Sequence, residues 1–246
     1  MKSIKRVIKR WLHRAGFDLV RYAPASQPLP RRAKLLTAYR IGLVFDVGAN
    51  TGQYAKELRN MGYAGRIVSF EPQRSAYDEL ARSAATDGAW VAVNAAVGDR
   101  NGQIDINVAG NSVSSSVLEM LPRHLQSAPS SQYCGVERVR IVRLDSIFCD
   151  YYRNDRIYLK IDTQGFERQV LAGAAASLEK IDTIQLEMSL VPLYKDETLF
   201  FDMCRLLTEK GYTLVGLEQG FTDPTTGQTL QVDGTFHRFT PSVVSR

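Results

Sequence analysis

Leu43-Val44-Phe45-Asp46-Val47-Gly48-Ala49-Asn50-Thr51-Gly52 sets the architecture of this chain. Leu43–Val47 is a short apolar run broken only by Asp46, glycines follow at 48 and 52, and Gln53–Asn60 then reads as a helix. An apolar run that passes through a tight glycine loop into a helix opens a βα unit, because glycine permits the backbone turn and a close approach to a ligand. The alternation repeats downstream. Arg66–Phe70, Trp90–Ala95, Ile157–Ile161 and Thr183–Glu187 read as buried strands, and Arg74–Ala84, Glu167–Ala172 and Leu199–Lys210 as helices. Gln103–Val108 and Val136–Leu144 are predicted as additional strands. Tyr212–Leu217 and Gly234–Phe239 read as a closing hairpin across a Gly/Thr-rich loop. Repeated βα units imply an α/β fold with a doubly wound, mostly parallel sheet, here closed by a C-terminal antiparallel strand.

The 246 residues accommodate one such domain, read as 41–246, and an N-terminal extension, read as 1–40. Apolar content of 44% and charged content of 23% are ordinary for a globular chain. The apolar runs are too short to span a bilayer, and Lys5, Arg6, Lys9, Arg10 and Arg14 interrupt any secretory signal core. Cys134, Cys149 and Cys204 are odd in number and lack CxxC spacing, so they read as reduced thiols in a cytoplasmic protein.

Charge is distributed unevenly. Eleven of the 31 Lys/Arg residues fall within 1–40 against one acidic residue, Asp18, which leaves the remainder net negative. Residues 2–15 read as a helix with Ile4, Val7, Ile8, Trp11, Leu12 and Ala15 on one face and basic residues around the rest. Such a helix packs on the body, packs on a second copy in a homodimer, or lies on an anionic membrane surface, here the inner face of the plasma membrane. No nucleic-acid module accompanies the charge, so nucleic acid is not expected as a partner. Pro24, Pro28 and Pro30 read as a linker, followed by a short helix over Arg31–Tyr39.

The loop itself points to its ligand. A dinucleotide fold would carry G-x-G-x-x-G, whereas Gly48 and Gly52 form G-x-x-x-G with Asp46 two residues ahead. A carboxylate there is poorly placed against a diphosphate and suits a ligand with a cationic sulfonium and an α-amino group. The second strand ends in Ser69-Phe70-Glu71-Pro72, where a carboxylate accepts both hydroxyls of a ribose. Both features fit S-adenosylmethionine.

Val44–Gly52, Phe70-Glu71-Pro72, Asn94-Ala95-Ala96-Val97-Gly98, Leu144-Asp145-Ser146-Ile147 and Leu159-Lys160-Ile161-Asp162-Thr163-Gln164-Gly165-Phe166-Glu167 together resemble the FkbM-type methyltransferases. The late Gly211-Tyr212 and Gly216-Leu217-Glu218 fit as well, so the resemblance covers about residues 42–240. It implies a class I methyltransferase fold and methylation of a hydroxyl oxygen, often on a sugar or polyketide. It also implies that Asp46, Gly48, Asn50, Gly52, Glu71 and the Ala95-Ala96-Val97 turn line the cofactor site. Gln53, Tyr54, Pro72 and Asp162 complete the expected cofactor set. The chain departs from the family at Asp162-Thr163-Gln164-Gly165, where an acidic residue is usual in place of Gln164.

On the acceptor side, a neutral alcohol needs a base or a metal to lose its proton. Asp162 and Glu187 end neighbouring predicted strands and are the candidates, as base and orienter or as joint ligands of a divalent cation such as Mg; a structural pair capping loop amides is the alternative. His124 is a third candidate base, in a Gly110–Gly135 segment expected to shape the acceptor pocket, while His237 reads as structural and His13 as a solvated face residue. The expected activity is O-methylation of a sugar on a glycolipid or lipid-linked saccharide. A small soluble polyketide or oligosaccharide acceptor is the alternative. A nicotinamide oxidoreductase is disfavoured by the missing glycine pattern, and a non-catalytic membrane-associated scaffold by the intact loop.

Overall fold

The computed structural model describes residues 2–18 and 27–239, the side chains of 2–5 excepted. Five parallel strands form one side of a seven-stranded sheet: β3 (Trp90–Val93), β2 (Arg66–Phe70), β1 (Ile41–Val47), β7 (Arg156–Ile161) and β8 (Ile181–Ser189), in that order. β10 (Gln231–His237) then runs antiparallel between β8 and β9 (Thr213–Gln219). The closing hairpin expected from the sequence is thus β9–β10. Helices α3 (Gln53–Asn60), α4 (Arg74–Ala84), α7 (Glu167–Gly173) and α8 (Phe200–Glu209) fall where the 3.6-residue periodicity predicted them. A smaller sheet, ordered β4 (Ala96–Val97), β6 (Tyr133–Val142), β5 (Gly102–Ala109), sits beside the carboxyl ends of the main strands.

Two local readings change. The strand expected to run to Leu144 stops at Val142, and Leu144 begins α6 (Leu144–Tyr151). Asp145 in its first turn accepts hydrogen bonds from the Ser177 and Ala176 N–H groups at 2.8 and 3.2 Å, which ties this helix to the segment before β8. Pro28 and Pro30 belong to the first turn of α2 (Pro28–Ala38) and not to a linker, a position where proline loses no helical hydrogen bond. Pro24 lies outside the described residues. α2 packs on the body: Leu36 is buried against β1 and its neighbours, and Arg31 and Arg32 both reach Glu218 on β9 at 3.0 Å. The first helix, α1 (Lys2–Arg14), is different, because none of its described apolar residues is buried. Among the described residues, no helix is long and apolar enough to cross a membrane.

One face of the main sheet is apolar, and the other carries, beside a second apolar cluster, the polar row that positions the site. Phe45, Leu159, Ile161, Ile184, Leu186 and Phe236 belong to the larger apolar core. The alternate residues form a polar row, because side chains one residue apart on a strand face opposite ways. Strand register aligns Ser69, Asp46, Lys160, Gln185 and Thr235 across five neighbouring strands. Asp233 pairs with Glu187 one step nearer the carboxyl ends of the parallel strands. Burying such a row is costly unless its members satisfy one another.

Candidate functional site

The loop after β1 is built from left-handed backbone: Gly48 has φ 77°, Asn50 φ 46° and Gly52 φ 85°. Glycine at 48 answers a second constraint. A Cβ there would lie 1.8 Å from the Asp162 carbonyl oxygen, and one at Gly52 would lie 2.8 Å from the Trp90 ring. The glycines therefore seat the loop against β7 and Trp90; the sequence reading assigned them to ligand approach. Gly48→Ala is expected to cost roughly 3 kcal/mol, combining left-handed strain with overpacking against immovable backbone. Urea denaturation monitored by circular dichroism checks it, and a loss below about 1 kcal/mol would contradict the assignment.

Asn50 fixes the loop's far side. Its N–H donates to Glu71 Oε2 at 2.8 Å, and its side-chain oxygen accepts from the Thr51 N–H at 2.9 Å. The other Glu71 oxygen accepts the Gln73 N–H at 2.8 Å. Glu71 is thereby clamped with a lone pair on each oxygen still free. Burial pushes its carboxyl up to about 7, against the opposing pull of those two N–H groups and of Lys160.

These groups border a cleft of about 340 Å³. Gly48 and Asn50 line it from the loop, Gln53 and Tyr54 from α3, and Glu71 and Pro72 from the end of β2. Ala95, Ala96 and Val97 line it beside β3, and Asp162 at the end of β7. The Gly110–Gly135 segment contributes Ser112, Val113, Ser115, Ser116 and Val117, with β5 supplying Ile106. Gly52 and Asp46 do not face the cleft. Asp46 is fully buried beneath the loop, where Oδ2 accepts the Ser69 hydroxyl at 3.0 Å and Oδ1 lies 3.3 Å from Lys160 Nζ. It acts on the cleft through Lys160.

Arg32, Lys160, Gln185 and Asp233 also line the cleft and are not among the site residues expected from the sequence. Lys160 Nζ also lies 3.5 Å from Asp162 Oδ2 and donates to the Gly48 carbonyl at 3.2 Å. Burial alone would discharge it, but Asp162 and Asp46 outweigh burial and hold it protonated. Gln185 is oriented by Tyr54 and Tyr158, whose hydroxyls donate to its Oε1 at 2.9 and 2.8 Å, so its amide nitrogen donates to Asp233 at 3.2 Å. Burial, then the Asp162 charge, raises the Asp233 carboxyl above its ordinary range. Arg32 is buried over the Tyr54 ring at 4.9 Å, and among the described residues its Nε has no hydrogen-bond partner. The period-two polar pattern of β7 and β8 signals Lys160 and Gln185; nothing marks Arg32 in a helix read as part of an appendage.

The pair proposed for acceptor chemistry is held apart by an amide. Gln164, at φ 54°, donates from one nitrogen to Asp162 Oδ1 at 2.9 Å and to Glu187 Oε2 at 2.8 Å. Tyr194 donates its hydroxyl to Gln164 Oε1 at 2.6 Å and fixes the amide's orientation. A glutamate at 164 would bring three carboxylates together; the amide supplies each neighbour with a donor instead. Asp162, 38% exposed, opens to the cleft. Glu187 does not line it. Burial, followed by the charges of Asp162, Asp233 and Glu167, raises the Glu187 carboxyl well above its usual range behind Gln164. The reading of these two as joint magnesium ligands gains no support: the space between them holds the amide, and among the described residues no group of three or more His, Cys, Asp or Glu side chains is placed to hold a metal ion. His124 also lies away from the cleft. It packs between Tyr194 and Phe221, ring centroids 5.2 and 5.1 Å away, and burial lowers it to about 4. Its position is that of a packed ring, not of a base at the cleft. His237 bonds Thr183 Oγ1 at 2.8 Å and stacks on Tyr39, as expected of a structural histidine.

The family model described as the methyltransferase FkbM domain matches residues 46–214. The chain belongs to the FkbM methyltransferase family. Membership makes it an S-adenosylmethionine-dependent methyltransferase with a Rossmann-like sheet. No curated protein matched. Among solved structures, the fold is similar to the CcbJ methyltransferase from Streptomyces caelestis at 10% identity, covering 89% of this chain and 99% of that one, with a TM-score of 0.45. It is similar also to an rRNA methylase from Streptococcus thermophilus at 10% identity, covering 87% and 98%, with a TM-score of 0.44. Glu71, whose two oxygens each accept one backbone N–H, would face the ribose hydroxyls of a cofactor bound in this cleft. Arg32 and Lys160 line the same cleft and would offer positive charge to the carboxylate of the cofactor's amino-acid end.

Proposed function

We propose that this methyltransferase transfers the methyl group to a hydroxyl oxygen of a saccharide carried on a glycolipid or other lipid-linked acceptor. The observation that carries the reading is Asp162, a carboxylate open to the cleft and held by Gln164 and Lys160. S-adenosylmethionine supplies a methyl on a cationic sulfur, so the oxygen–carbon bond forms as the carbon–sulfur bond breaks. The hydroxyl proton goes to Asp162, the cleft group aligned to take it. Tyr194 and Gln164 fix the angle of that carboxylate, and alignment supplies much of the rate. Asp233, Gln185 and Glu57 also line the cleft and add hydrogen-bonding groups of the kind a polyhydroxylated acceptor requires. Mass spectrometry of envelope glycolipids from a strain lacking this chain is expected to show a species lighter by one methylene than the parental one. An unchanged glycolipid profile together with an altered small-molecule or polyketide profile would overturn the lipid-linked acceptor.

A further inference from the structure

We infer that α1 is an in-plane anchor for an anionic lipid bilayer. The inference stands apart from the choice of acceptor. Val7, Ile8 and Trp11 occupy one side of the helix and are 52%, 46% and 70% exposed, so the body does not cover that face. The helix ends in a turn that extends it. Gly16 is left-handed, its N–H donates to the His13 carbonyl at 3.1 Å, and the Phe17 N–H reaches back to the Leu12 carbonyl at 2.8 Å. That pattern brings the residue after the glycine back beside the last apolar turn, which adds the exposed Phe17 to the same stripe.

Charge selects among the occupants of the stripe. Asp18 pairs with Lys9 at 3.2 Å and His13 at 2.8 Å, whereas Arg6, Arg10 and Arg14 have no acidic partner among the described residues. Two copies of so basic a helix repel each other, and the excess of basic residues is confined to the N-terminal 40, residues 41–246 being net acidic. A bilayer of anionic lipids complements both faces at once: acyl chains take the stripe and headgroups take the arginines. At 13 residues the helix is about 20 Å long, shorter than the hydrocarbon core, so it lies in the interface and does not span it.

Trp11 gives a direct readout, because the second tryptophan, Trp90, is buried. The full chain is mixed with phosphatidylcholine vesicles with and without phosphatidylglycerol, and sedimentation and tryptophan emission are recorded. Sedimentation with the anionic vesicles only, with a blue shift that Trp11→Phe removes while sedimentation persists, is the expected result. Replacing Arg6, Arg10 and Arg14 together by Gln is expected to weaken partitioning about a hundredfold, at about fivefold per charge. Val7→Glu with Ile8→Glu is expected to abolish it. S-adenosylhomocysteine binding should be equal in every variant, which separates this test from the methyl-transfer reading. No sedimentation, equal sedimentation with neutral vesicles, or a dimer that Val7→Glu with Ile8→Glu dissociates while vesicles are ignored would overturn the assignment, the last giving the face to a second copy.

Discussion

Asp162→Asn is expected to lower kcat by roughly 10²–10⁴-fold, the range for loss of a positioned general base, while S-adenosylhomocysteine affinity changes by less than about tenfold. The asparagine keeps an oxygen to receive the Gln164 amide at the 2.9 Å site, so the loop retains its shape. What is lost is the proton acceptor and the charge facing Lys160. Glu187→Gln should behave differently. Glu187 does not line the cleft and is joined to Asp162 through Gln164. An amide there keeps one acceptor, and kcat is expected to fall by less than about tenfold. Single-turnover methyl transfer beside a calorimetric binding titration distinguishes the two variants. Equal losses in both would mean that the pair acts as a unit and that Asp162 is not the sole base.

Glu71→Gln is expected to weaken S-adenosylhomocysteine binding by about a hundredfold, on the order of two hydrogen bonds to a charged group. Each Glu71 oxygen already accepts a backbone N–H, from Asn50 and Gln73. An amide nitrogen in either place would face a donor with a donor, so the near-isosteric change disturbs the clamp as well as the ribose contact. The pH dependence has a definite sign. The ionised carboxylate is the better acceptor for two hydroxyls, and burial holds this carboxyl near 7 in the free protein. Affinity should therefore fall as pH drops below about 7 and level off above it, and Glu71→Gln should flatten the profile. Folding stability of the ligand-free chain runs the other way. A carboxyl raised from 4.5 to about 7 contributes stability that is full below 4.5 and is lost as pH rises through 7. Calorimetric titrations between pH 5.5 and 8.5 check the binding sign; wild-type affinity that is flat over that range would contradict the role given to Glu71.

Much of the architecture is legible because its signals are local. Apolar runs ending in Val47, Phe70 and Ile161, each followed by a loop and a periodic helix, gave the parallel sheet and put the site at its carboxyl edge. Pairing across strands is not local. That Asp46 would turn away from the ligand toward Ser69 and Lys160 depends on register between β1, β2 and β7, which no single segment records. Gln164 illustrates the same limit. Its departure from the family pattern is visible in the sequence, but its bridging of Asp162 and Glu187 needs a left-handed backbone and the Tyr194 hydroxyl supplied from 30 residues away. Arg32 carries no signal in the sequence because prolines at 28 and 30 read as a linker, whereas the helix they start packs against β9. The ordinary titration range of histidine makes His124 a candidate base in the sequence, and burial between Tyr194 and Phe221 removes the ground for it.

The most direct test of the central claim is to trace the methyl group. Purified chain is incubated with methyl-labelled S-adenosylmethionine and a cell-envelope extract, and the products are hydrolysed and separated by class. The account predicts label in an O-methyl sugar released from the lipid fraction, and none with Asp162→Asn. Label recovered on nitrogen, on nucleic acid or on protein, with the sugar fraction blank, would contradict it.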